Sequence, residues 1–344
     1  MNGVFFYGDL APLFDQNKSR GQLTAKDVIL KINAFSFGDT LCATPILRKL
    51  ALAYAKKIVV CSSKPSLFEN NPFVKFHIDH DKFKGGYDKQ YEVFNTFNSI
   101  GQADKTGIER RYSEFDMRRC HAADCGLDLM PSEMTCDYYP NPVEFEDADQ
   151  KFINDNKYVV IHIAKNWPSR TWDKKNYEEL IKSLNGAGYK VALIGFDQPV
   201  EPGLYSHDKT CYNFSDLEFE GVSFLNKTSL DQDFYIIKNA EACITMNTGI
   251  VHLAGCTDTR IICIGSSINP YWYAPYRKGS QRYRFVHVDG ECLAFCASNA
   301  KWSVVEHGSS NSIPPLPECL EGRPTFECHP SPDKVFASVL SILK

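Results

Sequence analysis

An acidic residue, Asp39, lies in the segment Phe37-Gly38-Asp39-Thr40, between a predicted strand and a predicted helix. Glycine allows a tight turn there, and open α/β sheets bind their ligands beyond the carboxyl ends of their strands. Asp39 is therefore a candidate for a ligand site. The alternative is that Asp39 only caps the helix predicted at residues 41–56.

A basic segment, residues 162–172, directly follows another predicted strand and contains Lys165 and Arg170. A lysine and an arginine at the end of a strand could hold a diphosphate, the arginine through a planar fork of fixed geometry. The alternative is a solvated basic loop with tryptophans packed beneath it.

A third segment joins a strand end to a helix start and includes a small polar turn. Backbone N–H groups at such a helix start point outward and favour a phosphate. The alternative is an Asn-capped helix that contains a buried histidine. No GxGxxG motif is present to indicate a dinucleotide. The candidate residues in this segment are Asn247, Thr248, Gly249 and His252.

Four of the thirteen cysteines lie close together near the end of the sequence: Cys292, Cys296, Cys319 and Cys328. Four thiols in two pairs suit a tetrahedral metal site, which would be structural because all four ligands come from the protein. Two disulfides are an alternative that a reducing compartment disfavours. Four unconnected thiols are the other alternative.

The elements that must position these residues alternate between strand and helix patterns, which indicates an α/β fold with parallel sheets. Two such arrays predict two Rossmann-like domains that face each other across a cleft. A polar, proline-containing stretch at 136–156 reads as the linker between them. The predicted strands are 27–33, 57–63, 91–97, 157–164, 189–196, 241–246 and 260–265, and the predicted helices are 41–56, 176–188, 233–240, one that opens within 247–257, and 331–344.

These patterns divide the 344 residues into an N-terminal domain at 1–150, a C-terminal domain at 151–330 and a final helix at 331–344. The C-terminal domain includes the cysteine-rich segment 292–328. No apolar run approaches the roughly eighteen residues that span a bilayer. The N-terminus lacks the basic residues of a signal peptide, so we expect a cytoplasmic protein.

The net charge of −4 gives no overall basic field that would announce a nucleic-acid partner. A local cluster could still meet the phosphates of a lipid or a nucleic acid. The alternative for that cluster is a solvated helix face. Its members are Arg110, Arg111, Arg118 and Arg119.

Taken together, the separated motifs resemble those of glycosyltransferase family 9, the heptosyltransferase-like group. The resemblance covers roughly residues 27–75 and 157–344. The segments that carry it are FGDTLCATPILRKL, HIAKNWPSRTWDKKNYEELI, LNKTSLDQDFYIIKNAEACITMNTGIVHLAG and SINPYWYAPY.

The resemblance implies a GT-B fold, an inverting reaction and no catalytic metal. It assigns acceptor binding to the N-terminal domain and donor binding to the C-terminal domain. Asp39 would be the general base that takes the proton of the acceptor hydroxyl. Arg170 falls where the family has a lysine that touches the donor diphosphate.

The resemblance also assigns donor-binding residues to the third segment and to the one before it. Thr248, Gly249 and His252 match the residues that contact the donor phosphates. Thr228 falls in the segment that contacts the base and ribose. The chain departs from the family at Asn247, where the family usually has aspartate, and this change removes a charge beside a dianionic donor.

The implied reaction is transfer of heptose from ADP-heptose to an acceptor hydroxyl. The acceptor would be a glycolipid or a protein. The protein-modifying autotransporter branch of the family has a four-cysteine iron site in a similar place, which allows iron as well as zinc. Two alternatives stay open: a virus-encoded enzyme that glycosylates a nucleic-acid base, and a non-catalytic protein that binds a sugar nucleotide.

Overall fold

A computed structural model describes residues 23–33, 36–93, 116–163, 171–197, 214, 217–266, 268–277, 284–292 and 329–344. The chain falls into two units, and the division lies between Asn141 and Pro142. None of the helices in these ranges is both long and apolar enough to cross a membrane.

The first unit is built on a parallel sheet of four strands in the order β3-β2-β1-β4. Strands β1 and β2 are continuous apolar runs with almost no exposed surface, as expected for parallel strands covered on both faces. The strands are β1 (Ile29–Ile32), β2 (Ile58–Ser62), β3 (Val74–Asp79) and β4 (Gln90–Val93).

Among the described residues, three α-helices accompany this sheet: α1 (Phe37–Leu41), α2 (Thr44–Tyr54) and α3 (Met117–Asp124). The sequence predicts one helix over 41–56, whereas the structure has a break at Cys42 and Ala43. Pro45 explains the new start, because proline fits the first turn of a helix and lacks an N–H to continue the preceding one. The helix α3 was not predicted, because its segment is polar.

The second unit is built on a parallel sheet of six strands in the order β10-β9-β8-β5-β6-β7. This is the doubly wound Rossmann order, in which the strand order reverses between β5 and β8. The strands are β5 (Tyr158–Ile163), β6 (Lys190–Gly195), β7 (Gly221–Ser223), β8 (Ala242–Met246), β9 (Arg260–Ile264) and β10 (Phe285–Val288).

The described residues of this unit form five α-helices, and the last of them packs against α5, β9 and β10. The indole of the buried Trp172 donates to the carbonyl of Pro330 at 3.1 Å, which holds the start of that last helix. The helices are α4 (Asp147–Asp155), α5 (Lys174–Gly186), α6 (Leu230–Lys238), α7 (Gly249–Gly255) and α8 (Pro332–Leu343).

The predicted α/β class with parallel sheets is confirmed. The segment 136–156 is not wholly a linker, because α4 occupies 147–155 and buries Phe152 and Ile153 on one face. Strands β3, β7 and β10 were not predicted. They lie at sheet edges, where the apolar pattern is weaker: most of their residues are partly exposed.

Candidate functional site

The reversal of strand order between β5 and β8 defines the position in the second unit where doubly wound sheets bind ligands. The turn that follows β8 carries Asn247 and Thr248, and Thr248 is the N-cap of α7. Its hydroxyl accepts the backbone N–H of Ile250 at 3.3 Å. The predicted alternative of an Asn-capped helix is therefore wrong in its capping residue, because Thr248 and not Asn247 makes the cap.

A hydrogen-bond network at this edge joins His162, on β5, to Thr245 and Thr248. Nδ1 of His162 lies 3.1 Å from Oγ1 of Thr245 and 3.4 Å from Oγ1 of Thr248. The Thr245 hydroxyl donates to the carbonyl of Met246 at 2.9 Å, so it can only accept from His162. Nδ1 of His162 therefore carries the hydrogen and donates it toward the two threonines.

The donors and acceptors around Thr248 fix the role of its hydroxyl in the same way. Its oxygen accepts from the Ile250 N–H and from His162 Nδ1. In this network the Thr248 hydroxyl donates its hydrogen to Oγ1 of Thr245 at 3.3 Å. Rotation of the hydroxyl would redirect this hydrogen toward a ligand oxygen. A hydroxyl that offers a hydrogen at a helix start suits a phosphate oxygen.

His162 is held as a neutral ring by its surroundings. Burial lowers the pKa of His162 to about 4, so the imidazole carries no charge at neutral pH. Gly195, at the end of β6, has φ +108 and lies close to this ring. A Cβ at Gly195 would stand 2.2 Å from the carbonyl oxygen of Ile163 and 2.9 Å from Cδ2 of His162. Only glycine lets β6 end so close to the histidine.

Of the other residues predicted in this segment, Asn247 precedes the N-cap, and Gly249 and His252 lie in α7. Asn247 and His252 are both buried, and Gly249 is the first residue of the helix. His252 is therefore buried, as the alternative of a capped helix with a buried histidine predicts. The structure brings Thr248 within 3.4 Å of His162 at the edge of the sheet, and Asn247 and Gly249 flank Thr248 in the chain.

Thr228 follows β7 at the same edge and is engaged by an acidic residue. Its hydroxyl donates to Oδ1 of Asp233 at 2.6 Å. Asp233 lies in the first turn of α6 and is 9% exposed. Burial raises the pKa of Asp233 to about 6, and the Thr228 hydrogen bond opposes this rise only in part. Sequence reasoning missed Asp233; a carboxylate in the first turn of a helix reads as ordinary there.

Asp39 lies in the first unit, inside the short helix α1. Ser36 is the N-cap of this helix; its hydroxyl donates to Oδ2 of Asp39 at 2.7 Å and accepts the Asp39 N–H at 3.1 Å. The alternative that Asp39 caps the following helix is wrong, because the N-cap of α2 is Ala43. The fully buried His121, on α3, is a neighbour of Asp39; burial lowers the pKa of His121, and the Asp39 carboxylate opposes that shift.

The arginine cluster does not form a phosphate-binding face at Arg118. Arg118 is fully buried and forms a two-pronged ion pair with Asp116, with Nε 2.8 Å from Oδ1. The Asp116 charge raises the pKa of Arg118 despite burial. Both the phosphate-binding interpretation and the solvated-face alternative are therefore wrong for this residue.

Several predicted site residues lie outside the described residues: Lys165, Arg170, Cys296, Cys319 and Cys328. Cys292 is described and is a partly exposed free thiol. Within the described ranges, no group of three or more histidine, cysteine or acidic side chains is placed to hold a metal ion.

A parallel Rossmann sheet with a helix that begins beside its switch point is an arrangement common among nucleotide-binding proteins. The sequence model of glycosyltransferase family 9 (heptosyltransferase) matches residues 111–294, more than half of the chain. The chain belongs to this family. It is 25% identical over 128 residues to lipooligosaccharide heptosyltransferase 2 of Haemophilus influenzae, an alignment that covers 37% of this chain and 35% of that protein. The chain thus matches about a third of the length of that curated relative.

Two solved heptosyltransferase structures share the fold. The dodecameric iron-containing heptosyltransferase TibC of enterotoxigenic Escherichia coli, in complex with ADP-D-β-D-heptose, has a TM-score of 0.64 at 16% identity, covering 93% of this chain and 77% of TibC. Escherichia coli ADP-heptose heptosyltransferase II has a TM-score of 0.56 at 15% identity, covering 92% and 98%. The GT-B fold class predicted from the sequence is confirmed.

Proposed function

We propose that this chain is an inverting glycosyltransferase that moves heptose from ADP-heptose to an acceptor hydroxyl. The observation that carries the proposal is the Thr248 hydroxyl, whose lone pairs are occupied and whose hydrogen can serve a phosphate oxygen at the switch point. Family membership supports the reaction class. The ADP-heptose in the TibC complex supports the choice of donor.

In this proposal Asp39 is the general base. It would accept the proton of the acceptor hydroxyl as that oxygen forms a bond to the anomeric carbon, while the bond from that carbon to the diphosphate breaks. A positioned base of this kind contributes about 10²–10⁴-fold to rate. Its hydrogen bond from Ser36 holds the carboxylate in one orientation.

The donor diphosphate would be held by cationic and neutral groups of the second unit. We assign this role to Lys165 and Arg170, and to Thr248, Gly249 and His252. Thr228 would contact the base and ribose. We also propose that catalysis needs no metal, because hydrogen bonds and cations can stabilise the departing diphosphate.

Cys292, Cys296, Cys319 and Cys328 would hold a structural zinc or iron ion. Thiolate ligands suit both metals, and the iron-containing TibC supports this proposal. The acceptor would be a protein side chain or a glycolipid. We place the protein in the cytoplasm, a reducing compartment in which cysteines persist as thiols that can bind a metal.

The test of the proposed function is a donor panel with purified protein. ADP-heptose, ADP-glucose, UDP-glucose and GDP-mannose are compared by thermal shift, because a ligand raises the melting temperature by mass action. Release of ADP is then measured with and without an acceptor. Stabilisation by ADP-heptose with ADP release supports the proposal, and the absence of both overturns it.

Asn247 favours a second candidate, a sugar-nucleotide-binding protein without transferase activity. It stands where the family usually has aspartate, and it is buried beside the Thr248 turn. Binding of ADP-heptose with no turnover, and turnover gained by Asn247→Asp, would establish this second candidate.

A further inference from the structure

The first unit contains a pair of buried cysteines, Cys42 and Cys136, that the proposed reaction does not use. Cys42 is the C-cap of α1 and is fully buried, and Cys136 lies in the segment that follows α3 and is 7% exposed. The thiol of Cys42 donates a hydrogen bond to the sulfur of Cys136. Two sulfur atoms in contact within a folded chain are the starting arrangement for a disulfide.

Two backbone contacts, one on each side of Cys136, hold its segment beside the start of α2. The N–H of Asp137 donates to Oγ1 of Thr44 at 2.9 Å, two residues beyond the other cysteine of the pair. Arg48, one turn further along α2, donates to the carbonyl of Thr135 at 3.0 Å. The approach of the two thiols is therefore set by the packing of the backbone and not by the rotation of two side chains alone.

The two sulfurs differ in their tendency to ionise, and the buried guanidinium of Arg118 contributes to the difference. The hydrogen bond from Cys42 and the charge of Arg118 lower the pKa of Cys136. Burial and the carboxylates of Asp137 and Asp116 oppose this shift only in part. Burial and the neighbouring sulfur raise the pKa of Cys42. One thiol of the pair therefore ionises first and acts as the nucleophile, while the other keeps its proton.

Two other buried cysteines of the same unit have the opposite tendency. Burial raises the pKa of Cys61 to about 11 and that of Cys125 to about 12. The Cys125 thiol donates to the carbonyl of Glu92 at 3.5 Å, so a backbone group holds its hydrogen. Both thiols therefore stay protonated at neutral pH and react slowly with oxidants, since the thiolate is the reactive form.

We propose that Cys42 and Cys136 form an oxidation site at which a peroxide closes a disulfide. The Cys136 thiolate attacks one oxygen of hydrogen peroxide: a sulfur–oxygen bond forms, the oxygen–oxygen bond breaks, and hydroxide leaves. The sulfur of Cys42 then attacks the resulting sulfenic acid. A sulfur–sulfur bond replaces the sulfur–oxygen bond, and the proton of Cys42 leaves with the second oxygen as water. The two thiols together lose two electrons and two protons, and these reduce the peroxide to two molecules of water.

The disulfide would act on α1, the helix that carries the proposed base. The backbone N–H of Cys42 donates to the carbonyl of Gly38 at 3.0 Å and closes this helix. A sulfur–sulfur bond of about 2.05 Å is shorter than a hydrogen bond between thiols, so its formation draws Cys42 toward Cys136. We expect this movement to displace Asp39 and to lower transfer. This consequence rests on the proposed function, whereas the oxidation site itself does not.

The test treats the reduced full chain with a series of hydrogen peroxide concentrations, up to the one that oxidises both cysteines in urea-unfolded protein. Remaining thiols are blocked in denaturant, and disulfides are mapped by mass spectrometry without reduction. A peptide pair linked through Cys42 and Cys136 is expected, and dithiothreitol should separate it. Cys42→Ser should stop at a sulfenic acid on Cys136, which dimedone captures. Cys125→Ala is the matched control and should form the linked pair as wild type does. If both cysteines of the folded chain stay as reduced as in untreated protein, the inference is overturned.

Turnover of ADP-heptose separates the two proposals. Oxidised wild-type protein should lose at least about 10-fold in rate, because a small displacement of a reacting group has an effect of this size. Dithiothreitol should restore the rate. Cys136→Ala should keep its rate in peroxide, and an equal loss in this variant would assign the inactivation to another site. A linked pair with an unchanged rate contradicts the effect on Asp39. A linked pair in protein that shows no turnover even when reduced supports the oxidation site and counts against the proposed function.

Discussion

His162 Nδ1 lies 3.4 Å from the hydroxyl of Thr248, and this contact joins β5 to the turn after β8 across the switch point of the sheet. Because burial keeps the imidazole neutral, His162 orients the threonine without placing a charge beneath the turn. In the proposed function, Thr248 would contact the donor diphosphate, and His162 would orient the Thr248 hydroxyl without contacting the diphosphate.

Replacing His162 should weaken phosphate binding selectively. His162→Leu removes the N–H that orients the Thr248 hydroxyl. The affinity for ADP should fall by about 10-fold, because the hydrogen bond from Thr248 to a phosphate oxygen is weakened. His162→Asn places an amide N–H near the position of Nδ1 and should retain most of the affinity. Calorimetry with ADP and with adenosine provides the check: an equal loss for adenosine would assign the effect to misfolding.

Asp39→Asn should reduce transfer by about 10²–10⁴-fold and leave donor affinity nearly unchanged, because the amide cannot accept the acceptor proton. Ser36→Ala is the matched control. It removes the 2.7 Å hydrogen bond to the carboxylate but keeps the base, so its rate should fall far less. Steady-state rates and donor dissociation constants of both variants decide this; wild-type turnover in Asp39→Asn would exclude it as the base.

Arg48→Met should destabilise the first unit by about 2–4 kcal/mol. The Arg48 side chain is buried, pairs with Asp137 and donates to the carbonyls of Glu133 and Thr135 at 2.6 and 3.0 Å, all of which would lose this partner. Lys49→Met breaks only the more exposed pair with Glu133 and should cost less than about 1 kcal/mol. Urea unfolding of the two variants is the measurement, and similar losses would contradict the prediction.

Asp233→Asn should raise the free energy of unfolding at pH 8. The pKa of Asp233 is higher in the folded chain, about 6, than its ordinary value of 3.8, so the folded state holds the proton more tightly. Stability from this group is therefore present at pH 3.8 and below and is lost as the pH rises through 6. Keeping Asp233 ionised in the folded state at pH 8 therefore lowers the free energy of unfolding by on the order of 3 kcal/mol. Urea unfolding is measured at several pH values between 8 and 4. The increase in the free energy of unfolding of Asp233→Asn over wild type should shrink toward pH 4, and an increase independent of pH would contradict the prediction.

Much of the scaffold could be predicted because buried parallel strands are continuous apolar runs, such as Tyr158–Ile163, and need no partner to be recognised. Edge strands such as Gly221–Ser223 are short and half-exposed, so their pattern is weak. At the site, the turn containing Thr248 could be predicted from its composition. The link from Thr228 to Asp233 could not, because it depends on burial, which helical spacing does not reveal for a single carboxylate.

Seven described cysteines are buried and lie outside any disulfide, and they are divided between the two units: Cys42, Cys61, Cys120, Cys125 and Cys136 in the first, Cys243 and Cys263 in the second. A buried thiol reacts with an alkylating reagent only when its surroundings open. The chain therefore carries reporters of local opening in each half. Pulse alkylation followed by mass spectrometry would time the opening of each half separately, without any engineered cysteine.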